Sequence, residues 1–174
     1  MRIIPVAAFC AIECIAAGQT PSTFATMVEG KLTIGLLDRS PRVLDRSDIA
    51  RLPHKTVKVK VTGGKASSYS CVSLKDLLEH VGVVFSTEKQ ETNLGSMVFV
   101  EPVKASSVLF AMAELDDSIT AKRILLADRK DGKPLTAPEG PFRIIVPDEK
   151  ESPRWAKQVW AIYVVQAAEP AKRH

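Results

Sequence analysis

The sequence predicts a single α+β domain rich in β-strand. Its apolar residues fall mostly in short runs with a period of two, only one segment carries a clear helical period, and strands and helices do not alternate regularly enough for a βαβ repeat. Residues 31–37 set Leu32, Ile34 and Leu36 against Lys31, Thr33 and Gly35, the pattern of a half-buried strand. Asp38-Arg39-Ser40-Pro41 predicts a turn, and residues 47–52 a short helix capped by Asp45 or Ser47 and closed before Pro53. Val57, Val59 and Val61 share one face of a further strand over residues 56–62, which Gly63-Gly64 ends.

The clearest helix opens at Ser73-Leu74-Lys75-Asp76, which approximates a capping box. Leu74, Leu77, Leu78 and Val81 form its core face, and Gly82 is its stop signal. His80 falls in the last turn, where a cation suits the helix dipole, and reads as a surface or half-buried histidine. Residues 86–96 are polar and predict an exposed loop. Residues 97–101 and 107–111 predict strands, followed by a helical turn over 113–118.

Residues 123–165 hold three more apolar runs, at 124–127, 142–146 and 159–165. Two loops dense in charge, 128–134 and 148–157, separate them, and loops held by strands commonly carry function. The mixed signs read first as a solvated surface with weak ion pairs. The functional reading is that Arg154 and Lys157, on either side of Trp155, grip an anion while the indole packs beneath it.

The chain ends bear on location. Residues 1–18 combine Arg2, an apolar stretch and small residues at Ala16 and Gly18, the pattern of a secretory signal peptide. The stretch is short for a bilayer and contains Glu13, so no permanent membrane anchor is expected, and the protein is expected to be periplasmic or secreted. Residues 19–30 read as a flexible lead-in, 31–167 as the domain and 168–174 as a tail. The net charge of +4 is scattered, with no basic run, so no nucleic-acid partner is expected. Cleavage would remove Cys10 and Cys14 and leave Cys71 alone: buried and inert, free and reactive, paired between chains, or a metal ligand.

Familiar catalytic patterns are incomplete. Val61-Thr62-Gly63-Gly64-Lys65-Ala66-Ser67 resembles a phosphate loop but has Val59 where the first glycine belongs and Ala66 where the hydroxyl belongs. His54, His80 and His174 are dispersed and Cys71 has no partner at ligand spacing, so no metal ligands are assigned. No serine sits in a glycine-flanked nucleophile turn, and the catalytic residues stay unknown.

Several segments together do point to a family. Leu32-Thr33-Ile34-Gly35-Leu36-Leu37, Asp48-Ile49-Ala50-Arg51-Leu52-Pro53, Tyr69-Ser70-Cys71-Val72-Ser73-Leu74-Lys75-Asp76-Leu77-Leu78, Ala113-Glu114-Leu115-Asp116 and the whole of 123–165 resemble, in order and spacing, the oxidoreductase molybdopterin-binding domain of sulfite-oxidase-like proteins. The resemblance implies a mixed α+β fold and a molybdopterin cofactor held among loops. By position it places Arg143 and Lys157 on the cofactor side. It also exposes departures. The strand ending Val59-Lys60-Val61-Thr62-Gly63-Gly64 lacks the family's molybdenum-ligating cysteine, Cys71 stands where the family has glycine, and Glu139 replaces a histidine before Gly140-Pro141. The expected ligand is therefore a pterin cofactor or another small anion held by Arg143, Arg154 and Lys157 with incomplete metal ligation. The alternatives are a molybdenum-dependent oxidoreductase with an altered ligand set and a non-catalytic module with a periplasmic protein partner.

Overall fold

The computed structural model describes residues 30–36, 39–60, 64–149 and 153–166. Two five-stranded sheets dominate it. The first runs in the order β2 (Arg39–Asp45), β1 (Lys31–Leu36), β10 (Val159–Gln166), β5 (Ser96–Pro102), β6 (Val108–Ala111). The second runs β3 (His54–Lys60), β4 (Ala66–Ser73), β7 (Leu125–Lys130), with β8 (Lys133–Pro134) and β9 (Arg143–Ile145) both pairing β7. One hydrophobic cluster takes residues from both sheets, among them Leu32, Val98 and Ile162 from the first and Val72, Leu126 and Ile144 from the second. The fold is the sheet-rich α+β domain that the sequence predicts, with its strands divided between two sheets.

The parallel pairing of β1 with β10 sets the middle of the first sheet. Thr33 and Gly35 are buried as well as Leu32 and Ile34, so the strand expected from alternation to be half-buried is covered on both faces. Gly35 is where β10 comes closest: a Cβ there would stand 2.4 Å from the Tyr163 ring.

The local chemistry explains where expectation and structure part. The turn expected at Asp38-Arg39-Ser40-Pro41 is largely strand, since β2 begins at Arg39. Pro41 is tolerated because β2 is an edge strand and its pairing with β1 shifts register between Ile34 and Leu36. Helix α1 (Arg46–Ala50) takes Asp45 as its cap: the Asp45 carboxylate accepts from the Ser47 and Asp48 amides at 2.7 and 3.0 Å, and Asp48 accepts from the Asp45 amide at 2.9 Å. Helix α2 (Leu74–His80) buries Leu74, Leu77 and Leu78 and ends at Gly82 with φ +99°, yet Ser73 makes no side-chain capping bond. The first helical amide, Leu74 N, donates to Ile124 O at 2.9 Å, so the pairing of β4 with β7 (Leu125–Lys130) runs on into the helix start.

The loop expected over 86–96 contains a 3₁₀ turn, Thr87–Lys89, and helix α3 (Gln90–Leu94). Asn93 Nδ2 donates to Val84 O at 3.1 Å and Ser96 Oγ to Thr92 O at 2.7 Å, so buried polar side chains fold this segment back on itself. Strand β7 continues through Asp128, Arg129 and Lys130, where a loop was expected, and turns into β8 through Asp131 and Gly132, both at positive φ. The expected signal peptide, most of the lead-in and the tail lie outside the described residues. Among those described, no helix is long and apolar enough to cross a membrane.

Gly140 anchors the approach to β9. A Cβ there would lie 2.4 Å from the carbonyl carbon and oxygen of Leu135 and 2.8 Å from the Thr136 amide nitrogen, all backbone atoms that cannot swing away. Gly140→Ala is expected to destabilise the domain by about 1–3 kcal/mol or more, read as a lower urea midpoint at unchanged slope.

Candidate functional site

The second sheet, the loop before β9 and the approach to β10 meet at a cationic pocket. Tyr69 and Lys130 are direct partners across β4 and β7, and Arg143 pairs Ala127 on the other side of β7. The register shift of β4 against β7 between Ser70 and Cys71 brings Ala127 and Lys130, three residues apart, to the same side, so the three side chains share one face of the sheet. Backbone bonds bring Lys157 to the same place: Gln158 N donates to Glu139 O at 2.9 Å, Val159 N to Phe142 O at 2.9 Å and Ile144 N to Ala156 O at 2.8 Å. The result is a pocket of ≈ 340 Å³ whose lining includes Lys65, Ser67, Tyr69, Lys130, Glu139, Arg143 and Lys157.

Arg143 is its most buried charged group, with only 2% of the residue exposed. Its Nη1 lies 3.0 Å from Glu139 Oε2 and donates to Tyr69 Oη at 3.3 Å. The guanidinium stands between two rings, 5.7 Å from the centre of Tyr69 and 5.8 Å from that of Trp155. Its Nε is buried without a hydrogen-bond partner. A permanently charged fork lining a pocket among several lysines is complementary to an anionic ligand.

Among the described residues, Glu139 is the one carboxylate lining the pocket. It accepts from Lys130 Nζ at 3.0 Å and from Tyr69 Oη at 3.4 Å. Burial pushes its carboxyl up, but the Lys130 hydrogen bond and the Arg143 and Lys130 charges prevail and hold it below the usual carboxylate range. The Glu139 hydrogen bond correspondingly pushes Lys130 up against the opposing effect of burial. Lys65 and Lys157 are exposed at the mouth, and neither has a carboxylate partner among the described residues. Four cations therefore face one anion.

The residues named from sequence separate here. Arg143 and Lys157 are brought together, whereas Arg154 does not line the pocket and is engaged elsewhere. Its Nη1 and Nη2 each meet a Glu114 carboxylate oxygen at 3.2 Å, Nε donates to Glu149 Oε1 at 2.8 Å with Nη2 closing on the same oxygen, and the guanidinium lies 4.6 Å over the Phe110 ring. Lys122 Nζ donates to Glu114 Oε2 at 2.6 Å and completes the clasp. Trp155 is buried beneath the Arg143 guanidinium instead of beneath an anion between Arg154 and Lys157. Two carboxylates satisfy the Arg154 fork, and that is why it is unavailable.

Sequence reasoning did not single out Tyr69, Lys130 or Lys65 as site residues. The signal for Lys130 was Asp131-Gly132, a two-residue hairpin turn that continues β7 and sets Lys130 on the face of Tyr69. Cys71 is fully buried and faces away from reactivity: burial, with help from the Asp128 charge, pushes its thiol up to about 12. Among the described residues no group of three His, Cys, Asp or Glu side chains is placed to hold a metal ion. A second cavity of ≈ 470 Å³ lies behind the same wall, lined by Gly140, Pro141, Gln158 and Trp160 with Lys31 and Arg46. There Arg46 is already engaged, donating to Leu135 O and lying 6.0 Å over Phe142.

Comparison with known proteins decides the family. The family model described as the oxidoreductase molybdopterin binding domain matches residues 18–172. The chain belongs to this molybdopterin-binding family. Among solved structures, the sulfane dehydrogenase SoxCD from Paracoccus pantotrophus shares its fold, with a TM-score of 0.58 and 24% sequence identity over 77% of this chain. The match spans 37% of that protein's chain, so the molybdopterin-binding domain here corresponds to little over a third of it. No curated protein matches the chain. The family and the mixed sheet fold are those that the sequence resemblance implies.

The Arg154 clasp has a pH signature. Burial pushes the Glu114 carboxyl up, but hydrogen bonds from Arg154 and Lys122 overcome it and bring it down to about 2 from the usual 4.5. A carboxyl depressed on folding contributes stability that is present above 4.5 and lost as pH falls towards about 2. Glu114→Gln is expected to lose part of the wild-type decline in stability across that window. Parallel denaturant titrations of the two proteins along the acid limb measure the difference.

Proposed function

We propose that this molybdopterin-binding-family domain is an exported protein that binds the anionic part of a pterin cofactor, or another small oxyanion, in the pocket around Arg143. The observation that carries this reading is the pocket lining itself, in which Lys65, Lys130, Lys157 and the buried Arg143 surround one described carboxylate, Glu139. Arg143 would present the fixed fork, and Lys130, Lys157 and Lys65 would supply point charges around it. Tyr69 and Trp155 hold the guanidinium in place from either side.

The fit to the full cofactor is partial. A pterin's anionic terminus matches the donors present, whereas a molybdenum centre needs a soft, ionised ligand, and the sole described cysteine is a buried, protonated thiol. The cofactor, where bound in this family, supplies oxidation–reduction chemistry. For this chain the reading is retention of the anion grip with loss of the usual cysteine ligand. Export rests on the sequence pattern of residues 1–18.

Lys157 gives the cleanest test, because it is exposed and no described carboxylate depends on it. Lys157→Ala is expected to weaken binding of inorganic phosphate by about tenfold or more, the equivalent of one charge-assisted hydrogen bond of about 1.5–3 kcal/mol, with the melting temperature unchanged. Calorimetric titration measures it, and phosphate binding unaffected by Lys157→Ala and Lys130→Ala alike would remove the pocket from consideration. Pterin fluorescence and elemental analysis of protein purified from a cofactor-producing host identify the native occupant.

A further inference from the structure

Glu139 is an anomaly in a pocket suited to anions, since a carboxylate repels what the neighbouring cations attract. It is also fixed: Oε1 faces Lys130 at 3.0 Å, while Oε2 faces Arg143 Nη1 at 3.0 Å and Tyr69 Oη at 3.4 Å. A carboxylate has about four lone-pair positions, and these contacts use three, leaving one on Oε1. Glu139 lines the pocket and keeps 23% of its side-chain surface exposed. The lining thus offers donors from Arg143, Lys130, Lys157 and Lys65 together with one fixed acceptor.

We propose that Glu139 is a specificity-determining residue that makes the pocket select oxyanions carrying a proton, hydrogen phosphate or a protonated phosphomonoester, over fully ionised ones such as sulfate. This deepens the anion-pocket reading above and rests on it. A protonated phosphate oxygen donates to Glu139 while its other oxygens accept from the cations. Sulfate near neutral pH has no proton to give, so the same geometry sets two anionic oxygens against each other with nothing between them. A site built to hydrogen-bond a hydroxyl rejects the analogue lacking it more strongly than shape alone allows. Glu139 stays ionised for this role because Lys130 and Arg143 hold its carboxyl below the ordinary range in spite of its burial.

The test compares inorganic phosphate, sulfate and methyl phosphate by calorimetry on the wild-type protein and on Glu139→Gln, with melting curves to establish folding. The wild type is expected to prefer phosphate over sulfate by about tenfold or more, and Glu139→Gln, whose amide can donate, to lose that preference chiefly by binding sulfate better. Methyl phosphate distinguishes a phosphoester source from free phosphate: its binding is expected to strengthen as pH falls through about 6, where it takes up its proton. Equal wild-type affinity for phosphate and sulfate overturns the assignment and leaves the anion pocket standing, as does unchanged discrimination in a folded Glu139→Gln. Failure of all three anions to bind the wild type overturns the pocket itself. Should Glu139→Gln not fold, the wild-type preference and the pH course of methyl phosphate still decide the question.

Discussion

The arrangement depends on an arginine held where water is scarce. Arg143 cannot shed its charge, and it lies buried on a strand of three fully buried residues, so everything within reach of its guanidinium is constrained by the need to compensate it. Glu139 neutralises it, Tyr69 accepts a hydrogen bond from it, and Tyr69 and Trp155 present their ring faces. These residues come from β4, from the loop before β9 and from the approach to β10. One desolvated charge thereby fixes the relative position of three distant parts of the chain.

Charged residues that look alike in sequence divide into distinct groups around this centre. Arg123 meets Asp148 in an exposed pair, and Arg154 is enclosed by Glu114 and Glu149 with Lys122 beside them. Arg143 shares Glu139 with Lys130, while Lys157 and Lys65 have no described carboxylate. The reading of the charged loops as a solvated surface fits Arg123, and a clasp between segments fits Arg154. Of these three groups, only the cluster around Arg143 has positive charge left over among the described residues, and the difference lies in how many carboxylates each group was given.

The sheet-rich class, the existence of most strands and the core face of α2 were legible because period-two and period-3.6 patterns report burial directly, whereas the edge strand β2 and the covering of β1 on both faces were not. Arg143 and Lys157 were legible as a pair through family resemblance. Arg154 was not separable from them, since its partner Glu114 lies 40 positions away and local spacing carries no trace of that contact. The same reason hid Tyr69, which reaches Arg143 across 74 positions. Ser73 shows a subtler limit: its motif suggests a capping box, but its side chain makes no capping bond, and the helix start is tied instead into the β4–β7 pairing through Leu74 N and Ile124 O. Asp131-Gly132 shows the converse, a strong local hairpin signal that the surrounding run of charges disguised as loop.

The side-by-side run of β1 and β10, with Thr33 opposite Ala161 and Ile34 opposite Ile162, has a bearing on how the domain comes into being. Of the described strands, the one that completes the middle of the first sheet lies latest in the chain and its parallel neighbour lies earliest, so their pairing closes the longest loop between described strands. Closing so large a loop is entropically costly and slow, and until it happens β5 and β1 expose edges that β10 will cover. The approach to β10 also carries Trp155 and Lys157, so the pocket remains without one wall for as long as the sheet remains open. The pocket and the first sheet are thus closed by one and the same segment.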